Sequence, residues 1–123
     1  MSEPVMVMCP ERHRFLPPSD PTPSYEDEGP WVDLSRRVSL RRLLKALADH
    51  RVGHPGDTLS FDDLVAIGWP GERIIQRAAR NRLHVALSTL RRFGADIEFH
   101  GDGWRLPPTI TVIWTHDEAE QAA

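Results

Sequence analysis

The segment from residue 76 to residue 93 has the apolar periodicity of an amphipathic helix. At about 100° per residue, its apolar side chains share one face; they are Ala79, Leu83, Ala86, Leu87 and Leu90. The opposite face carries Arg77, Asn81, His84, Val85, Ser88 and Arg92. Residues 73–92 contain six arginines and no acidic residue. The fold must therefore bury one side of this helix and leave a cationic side in solvent.

Two further helices are predicted ahead of this one. Four leucines recur at helical spacing: Leu40, Leu43, Leu44 and Leu47. They predict an amphipathic helix over about residues 36–51, with Ser35 as its N-cap. Ser60 followed by Asp63 is a capping-box pattern, which predicts a short helix that ends at residues 68–71.

Strand and turn signals surround the helices. Gly94 is the expected left-handed C-cap of the third helix, and a β-hairpin is predicted over residues 96–106 with its turn at residues 101–103. Short strands are predicted at residues 5–8, 31–34 and 110–114. Five prolines within residues 17–30 predict a loop or linker there, because proline lacks the amide donor that regular structure needs.

These elements predict an α+β fold of a particular plan. Three helices followed by a hairpin is the order of a three-helix winged helix-turn-helix, with the C-terminal hairpin as the wing and short flanking strands. We expect a folded domain over residues 31–107. Residues 1–30 are predicted to be an N-terminal strand with a proline-rich acidic linker, and residues 108–123 a terminal strand with an acidic tail.

The charge is segregated along the chain. Residues 31–107 hold 13 Lys and Arg against 9 Asp and Glu, although the formal net charge of the whole chain is −3. A middle segment more basic than its flanks is typical of a polyanion-binding domain with acidic tails. An uneven scatter of surface charge gives the same pattern, so charge alone leaves both interpretations open.

Five short motifs follow one another between residues 31 and 107. They are residues 32–35, residues 55–64, Trp69, residues 82–92 and residues 101–106. Together they resemble the DNA-binding output domain of OmpR/PhoB-type bacterial response regulators. The resemblance implies that the helix at residues 76–93 lies in the major groove and that the hairpin at residues 96–106 is the wing. Too few residues precede Trp31 for the family's receiver domain, so we expect no phosphorelay control within this chain.

Several positions depart from that family's pattern. The resemblance implies that the family reads bases with an Arg, a His and an Arg, which fall here on Asn81, Ala86 and Thr89. Glu98 and His100 stand where the family has a Thr and a minor-groove Arg. The carboxylates of Glu98 and Asp102 are expected to repel phosphates. Any DNA sequence recognised here would therefore differ from a typical site of the family.

The predicted DNA-contacting side chains lie on the third helix and the wing. They are Arg77, Asn81, Arg82, His84, Val85, Ser88, Thr89, Arg91, Arg92 and His100. Arginines are expected at phosphates, and Asn81 and His84 at base edges. For each of them an ordinary solvated helix face is the alternative. Trp104 is expected in the core beneath the wing.

Signals for catalysis or metal binding are weak. No glycine-rich phosphate loop, nucleophile elbow or HExxH pattern occurs. The pair Cys9 and His13 and the pair His50 and His54 are each spaced four apart, but neither belongs to a four-ligand zinc set. We therefore expect no enzymatic activity, no metal and no cofactor. A single cysteine and the lack of a long apolar run favour a cytoplasmic protein without a membrane partner.

The sequence predicts a small bacterial transcription regulator that binds double-stranded DNA, either sequence-specifically or in general. A separate sensor or regulatory protein is a further candidate partner. The alternative is a protein–protein interaction module on the same scaffold, with residues 17–30 and the strands at residues 5–8 and 110–114 as docking edges.

Overall fold

A computed structural model describes residues 4–19 and 31–115. The elements are β1 (Val5–Cys9), a short 3-10 helix (Pro10–Arg12), β2 (Arg14–Ser19), β3 (Val32–Asp33), α1 (Val38–Gly53), β4 (Leu59–Ser60), α2 (Phe61–Gly68), α3 (Gln76–Arg92), β5 (Glu98–His100), β6 (Gly103–Arg105) and β7 (Thr111–Trp114). These described residues form three α-helices and two sheets, so the predicted α+β class is confirmed.

The larger sheet joins the strands that precede the helices to the strand that follows them. Its four strands lie in the order β3-β2-β1-β7, with β1 antiparallel to β2 and parallel to β7. The predicted strands at residues 5–8 and 110–114 are thus confirmed, but β1 is paired on both sides, so the docking edge predicted at residues 5–8 is wrong. Met6, Met8 and Phe15 of this sheet belong to the same buried cluster as Leu43 and Leu87 of the helices. The flanking strands and the helices therefore share one hydrophobic core.

The prediction of a loop from residue 17 is wrong at its start, because β2 continues through Pro17 and Pro18. On one side, β3 pairs with β2 only at Arg14 and Phe15, so the ladder with β3 needs no N–H donor at the two prolines. On the other side, the β1–β2 register is irregular near this end of the strand. Prolines are tolerated in strands at such edges and bulges. The linker predicted for residues 20–30 and the tail predicted for residues 116–123 lie outside the described residues.

Helix α1 begins at Val38, later than predicted, and it is not capped by Ser35. Its N-cap residue is Arg37, which forms no side-chain capping bond. The Ser35 amide instead donates to Asp33 Oδ1 at 2.8 Å, which turns the chain ahead of the helix. This backbone hydrogen bond holds the pKa of Asp33 below its usual value. The predicted leucine face of α1 is buried, with Leu40, Leu43, Leu44 and Leu47 in the core.

Helix α2 begins with the predicted capping box. The Asp63 amide donates to Ser60 Oγ at 3.1 Å, and the Ser60 amide donates to Asp63 Oδ2 at 3.4 Å. The Ser60 residue also belongs to β4, which pairs with β6 of the C-terminal hairpin. The start of α2 is therefore tied to the smaller sheet, which has the order β4-β6-β5.

The predicted left-handed C-cap after α3 is confirmed, because Gly94 has a φ of +102°. A Cβ placed there would lie 2.7 Å from the Cβ of Pro17 in β2. The absence of a side chain thus allows the end of α3 to pack closely against the larger sheet. Helix α3 also contacts α1 and α2, which fixes which of its faces is left open.

Candidate nucleic-acid interface

The two faces of α3 follow the predicted division. Its buried residues are Ala79, Leu83, Ala86, Leu87 and Leu90. The exposed residues include the six predicted for the opposite face: Arg77, Asn81, His84, Val85, Ser88 and Arg92. At a rise of 1.5 Å per residue, the Arg77 and Arg92 positions are about 22 Å apart along the axis. The helix therefore presents an exposed polar strip of nearly its whole length.

The two arginines at the ends of this strip are unengaged. Within residues 4–19 and 31–115, the side chains of Arg77 and Arg92 form no hydrogen bond and no ion pair. Asn81 and Ser88, between them, likewise form no side-chain hydrogen bond to the described residues. His84 meets the Trp104 ring edge-on, with the two centroids 6.1 Å apart. The side chains of Arg77, Asn81, Ser88 and Arg92 can therefore bind a ligand without breaking a hydrogen bond or ion pair to the described residues.

Three other predicted site residues already have partners. Arg82 Nη1 forms an ion pair with Glu72 Oε1 at 3.1 Å. Arg91 Nε donates to the backbone oxygen of Ile97 at 2.9 Å, and Thr89 Oγ1 donates to the backbone oxygen of Val85 at 2.8 Å. Arg91 therefore braces the chain that follows α3. The Arg82–Glu72 pair is half exposed, and such pairs are weak enough to exchange with a competing anion.

The carboxylate of Glu98 is compensated within the hairpin. Glu98 lies opposite Arg105 in the β5–β6 ladder, and Arg105 Nε donates to Glu98 Oε1 at 2.6 Å. Arg105 Nη1 also donates to the backbone oxygen of Gly56 at 2.7 Å. The Glu98 carboxylate is thus paired with a cation, and the expectation that Glu98 repels phosphates stays a prediction. His100, the predicted site residue of the hairpin, is exposed at the end of β5.

Aromatic side chains connect the hairpin to α3. Trp104 is 8% exposed and belongs to the core, as predicted. Its ring lies between those of His84 on α3 and Phe99 on β5, with Phe99 5.0 Å away, centroid to centroid, in an edge-on arrangement. Phe99 itself is largely exposed. The contact between Trp104, the core residue of the hairpin, and His84 thus holds the hairpin beside the exposed strip of α3.

The start of α1 adds a basic wall beside α3. An open groove of about 530 Å³ lies between this segment and α3. Its lining includes Arg36, Arg37, Trp69, Asn81, Arg82, Val85 and Thr89. The Arg37 guanidinium also lies 5.3 Å from the Phe93 ring centroid at the end of α3. Periodicity within α1 gives no sign of this arrangement, because it depends on how α1 crosses α3.

Metal-binding side chains do not cluster in the described residues. Within residues 4–19 and 31–115, no group of three or more His, Cys, Asp or Glu side chains could hold a metal ion. The His50 and His54 rings lie 5.1 Å apart, while Cys9 is buried in β1. None of the helices in this same part of the chain combines the length and apolar character required to cross a membrane.

Comparison of the chain with protein-family models, with curated proteins and with solved structures gave no match. The resemblance to OmpR/PhoB-type output domains therefore stays a prediction from the residues.

Proposed function

We propose that this chain is a winged helix-turn-helix protein that binds double-stranded DNA as a small, non-enzymatic, cytoplasmic transcription regulator. In this proposal the exposed face of α3 enters the major groove and the β5–β6 hairpin acts as the wing. The observation that carries it is the exposed strip of α3, where the unengaged Arg77 and Arg92 flank Asn81, His84 and Ser88.

The dimensions of α3 suit this role. An α-helix with its side chains is about 10–12 Å across, and the major groove is about 12 Å wide. Arg77 and Arg92 are near the two ends of the helix, where long guanidinium side chains reach backbone phosphates on the groove walls. Asn81 and His84 lie between them, where a helix in the groove would meet base edges.

Charge around the strip supports the same assignment. Arg36 and Arg37 at the start of α1 line the groove opposite α3. They add two positive charges to the side of the protein that presents the exposed strip. Glu72, an acidic residue beside this groove, is paired with Arg82. A surface of this composition attracts DNA regardless of sequence, and the base-edge contacts then set any preference.

Fluorescence anisotropy with a labelled duplex of mixed sequence, measured at several salt concentrations, tests the proposal. If Arg36, Arg37, Arg77 and Arg92 each neutralise one phosphate, the logarithm of the association constant falls with the logarithm of salt at a slope of about −3.6. Nonspecific association alone should be detectable at about 10 µM protein in low salt. A flat anisotropy trace under those conditions contradicts DNA binding.

A pair of single substitutions tests where the duplex sits. Arg92→Gln should weaken binding about fivefold at low salt and make the salt slope shallower by about 0.9, because one phosphate contact is lost. Lys45→Gln is the matched control, since it removes the same charge from the side of α1 that borders β1 and β2. It should change affinity less than about twofold. Equal losses from both variants would mean that net charge, rather than α3, governs binding.

A protein-interaction module is the second candidate. It is favoured by three large apolar side chains that are exposed on or beside α3: Ile75 (75%), Val85 (57%) and Phe99 (59%). Under this alternative, the chain associates with a protein partner or with itself and shows no duplex affinity at about 10 µM. Light scattering after size-exclusion chromatography of the wild type and of Phe99→Ser measures self-association directly. Loss of an oligomer in the variant, together with no duplex binding, would support the alternative.

A further inference from the structure

A second cavity lies between α1 and the strands β1 and β2, and it shares no lining residue with the groove beside α3. Its volume is about 240 Å³. The cavity has an apolar floor of buried side chains: Met8, Cys9, Phe15 and Leu34. A half-enclosed, largely apolar cavity of this kind is a candidate small-molecule site.

The rim of the cavity is cationic. Arg14, Arg41 and Arg42 line it, and none of the acidic side chains in the described part of the chain does. Lys45 also lies at the rim, but it is engaged by Asp49 at 2.9 Å. Arg42 has no ion pair or hydrogen bond within residues 4–19 and 31–115, whereas Arg41 Nη1 donates to the backbone oxygen of Ser35. An anion entering this rim would meet positive charge on two sides.

Arg14 supplies the second, independent observation. Its Nε is buried and has no hydrogen-bond partner among the residues that the structure describes, although buried guanidinium nitrogens are normally satisfied. The guanidinium lies over the Trp31 ring, 4.1 Å from the centroid, which fixes its plane beside the cavity. A buried donor without an acceptor is costly, and an anionic group held here would relieve that cost.

From these features we infer that the cavity binds a small molecule with an anionic head group and an apolar body. The head group pairs with Arg14 and Arg42, and the body contacts Phe15 and Leu34 in the floor. A cavity of about 150 Å³ holds one benzene ring, so this larger one has room for a body of roughly eight to ten carbon or other heavy atoms. The inference does not depend on DNA binding, and either proposal can fail without the other.

Calorimetric titration of the full chain with octanoate tests the inference. We expect a single site with a Kd on the order of 100 µM, which corresponds to an ordinary efficiency per ligand atom. Octan-1-ol has the body without the charge, and inorganic phosphate has the charge without the body; each should bind at least tenfold more weakly. Tryptophan fluorescence should change with octanoate, because Trp31 stacks on Arg14. No heat up to about 5 mM octanoate, or equal binding of octan-1-ol, would overturn it.

Two variants locate the ligand. Arg42→Gln should weaken octanoate about fivefold, the size expected for a partly exposed ion pair. Arg73→Gln is the charge-matched control, since Arg73 is exposed and lies outside the cavity lining, and it should leave the octanoate Kd unchanged. Cys9→Leu fills the floor of the cavity and should reduce octanoate affinity more than tenfold. If this variant unfolds, the comparison of Arg42→Gln with Arg73→Gln still tests whether the ligand binds in the cavity. Equal losses from Arg42→Gln and Arg73→Gln would contradict a ligand at this cavity.

Discussion

The two faces of α3 differ in what holds their side chains, although both run along the same 17 residues. The face of alanines and leucines packs against α1, α2 and the rest of the core. On the other face, the side chains of Arg77 and Arg92 form no hydrogen bond or ion pair with the described residues. The difference separates stability from binding. Substitutions on the inner face should change the stability of the protein, whereas those on the outer face should change only what it binds.

The largest expected effect comes from the inner face. Leu87 is 1% exposed, so Leu87→Ala should lower the free energy of unfolding by about 2–5 kcal/mol, through lost apolar burial and the cavity left behind. Urea denaturation followed by circular dichroism measures this. Its neighbour Ser88 is exposed, and Ser88→Ala should stay within about 0.5 kcal/mol of wild type. Similar losses from the two variants would mean that the faces are not separated in this way.

A smaller effect is expected where the end of α3 meets β2. Gly94→Ala forces a side chain into a positive φ and against Pro17, so it should cost about 1–3 kcal/mol of unfolding free energy. Gly53→Ala at the end of α1 is the control, since its added Cβ meets nothing within 4 Å and its φ is not positive. That control should be neutral or slightly stabilising. If Gly94→Ala left the free energy of unfolding as unchanged as Gly53→Ala does, α3 would not approach the larger sheet as closely as described.

The sequence reveals α3 well because its signals are local. A period of 3.6 residues assigns Leu83 and Leu87 to the core and Arg77 and Arg92 to solvent without knowledge of the packing partners. The capping box at Ser60 is equally local, since its two hydrogen bonds span three residues. Elements of this kind are predictable because the helix itself supplies the geometry.

Features that depend on distant residues were not predictable in the same way. The parallel pairing of β1 with β7 brings Val5 opposite Thr111, and no pattern within either strand specifies that partner. Pro17 and Pro18 suggest a loop until it is known that β3 pairs with β2 only at Arg14 and Phe15. In the candidate interface, the exposed positions were predicted, but the engagement of Arg82 by Glu72 depends on how the loop before α3 folds back.

The smallest expected effect concerns the ion pair between Arg82 and Glu72. Arg82 is exposed on α3 but, unlike Arg77 and Arg92, it already has an acidic partner. Glu72→Gln removes an acidic group and releases Arg82, so duplex affinity at low salt should rise about threefold and the salt slope should steepen by up to about 0.9. Unfolding free energy should change by less than about 1 kcal/mol, since exposed pairs contribute little. Asp49→Asn makes the same charge change beside Lys45 on α1 and serves as the control. If Asp49→Asn raises affinity as much as Glu72→Gln, the gain is a net-charge effect. If instead the slope steepens only in Glu72→Gln, Arg82 contacts a phosphate once its ion pair with Glu72 is removed. The DNA-binding surface of α3 then includes Arg82 in addition to the unpaired Arg77 and Arg92.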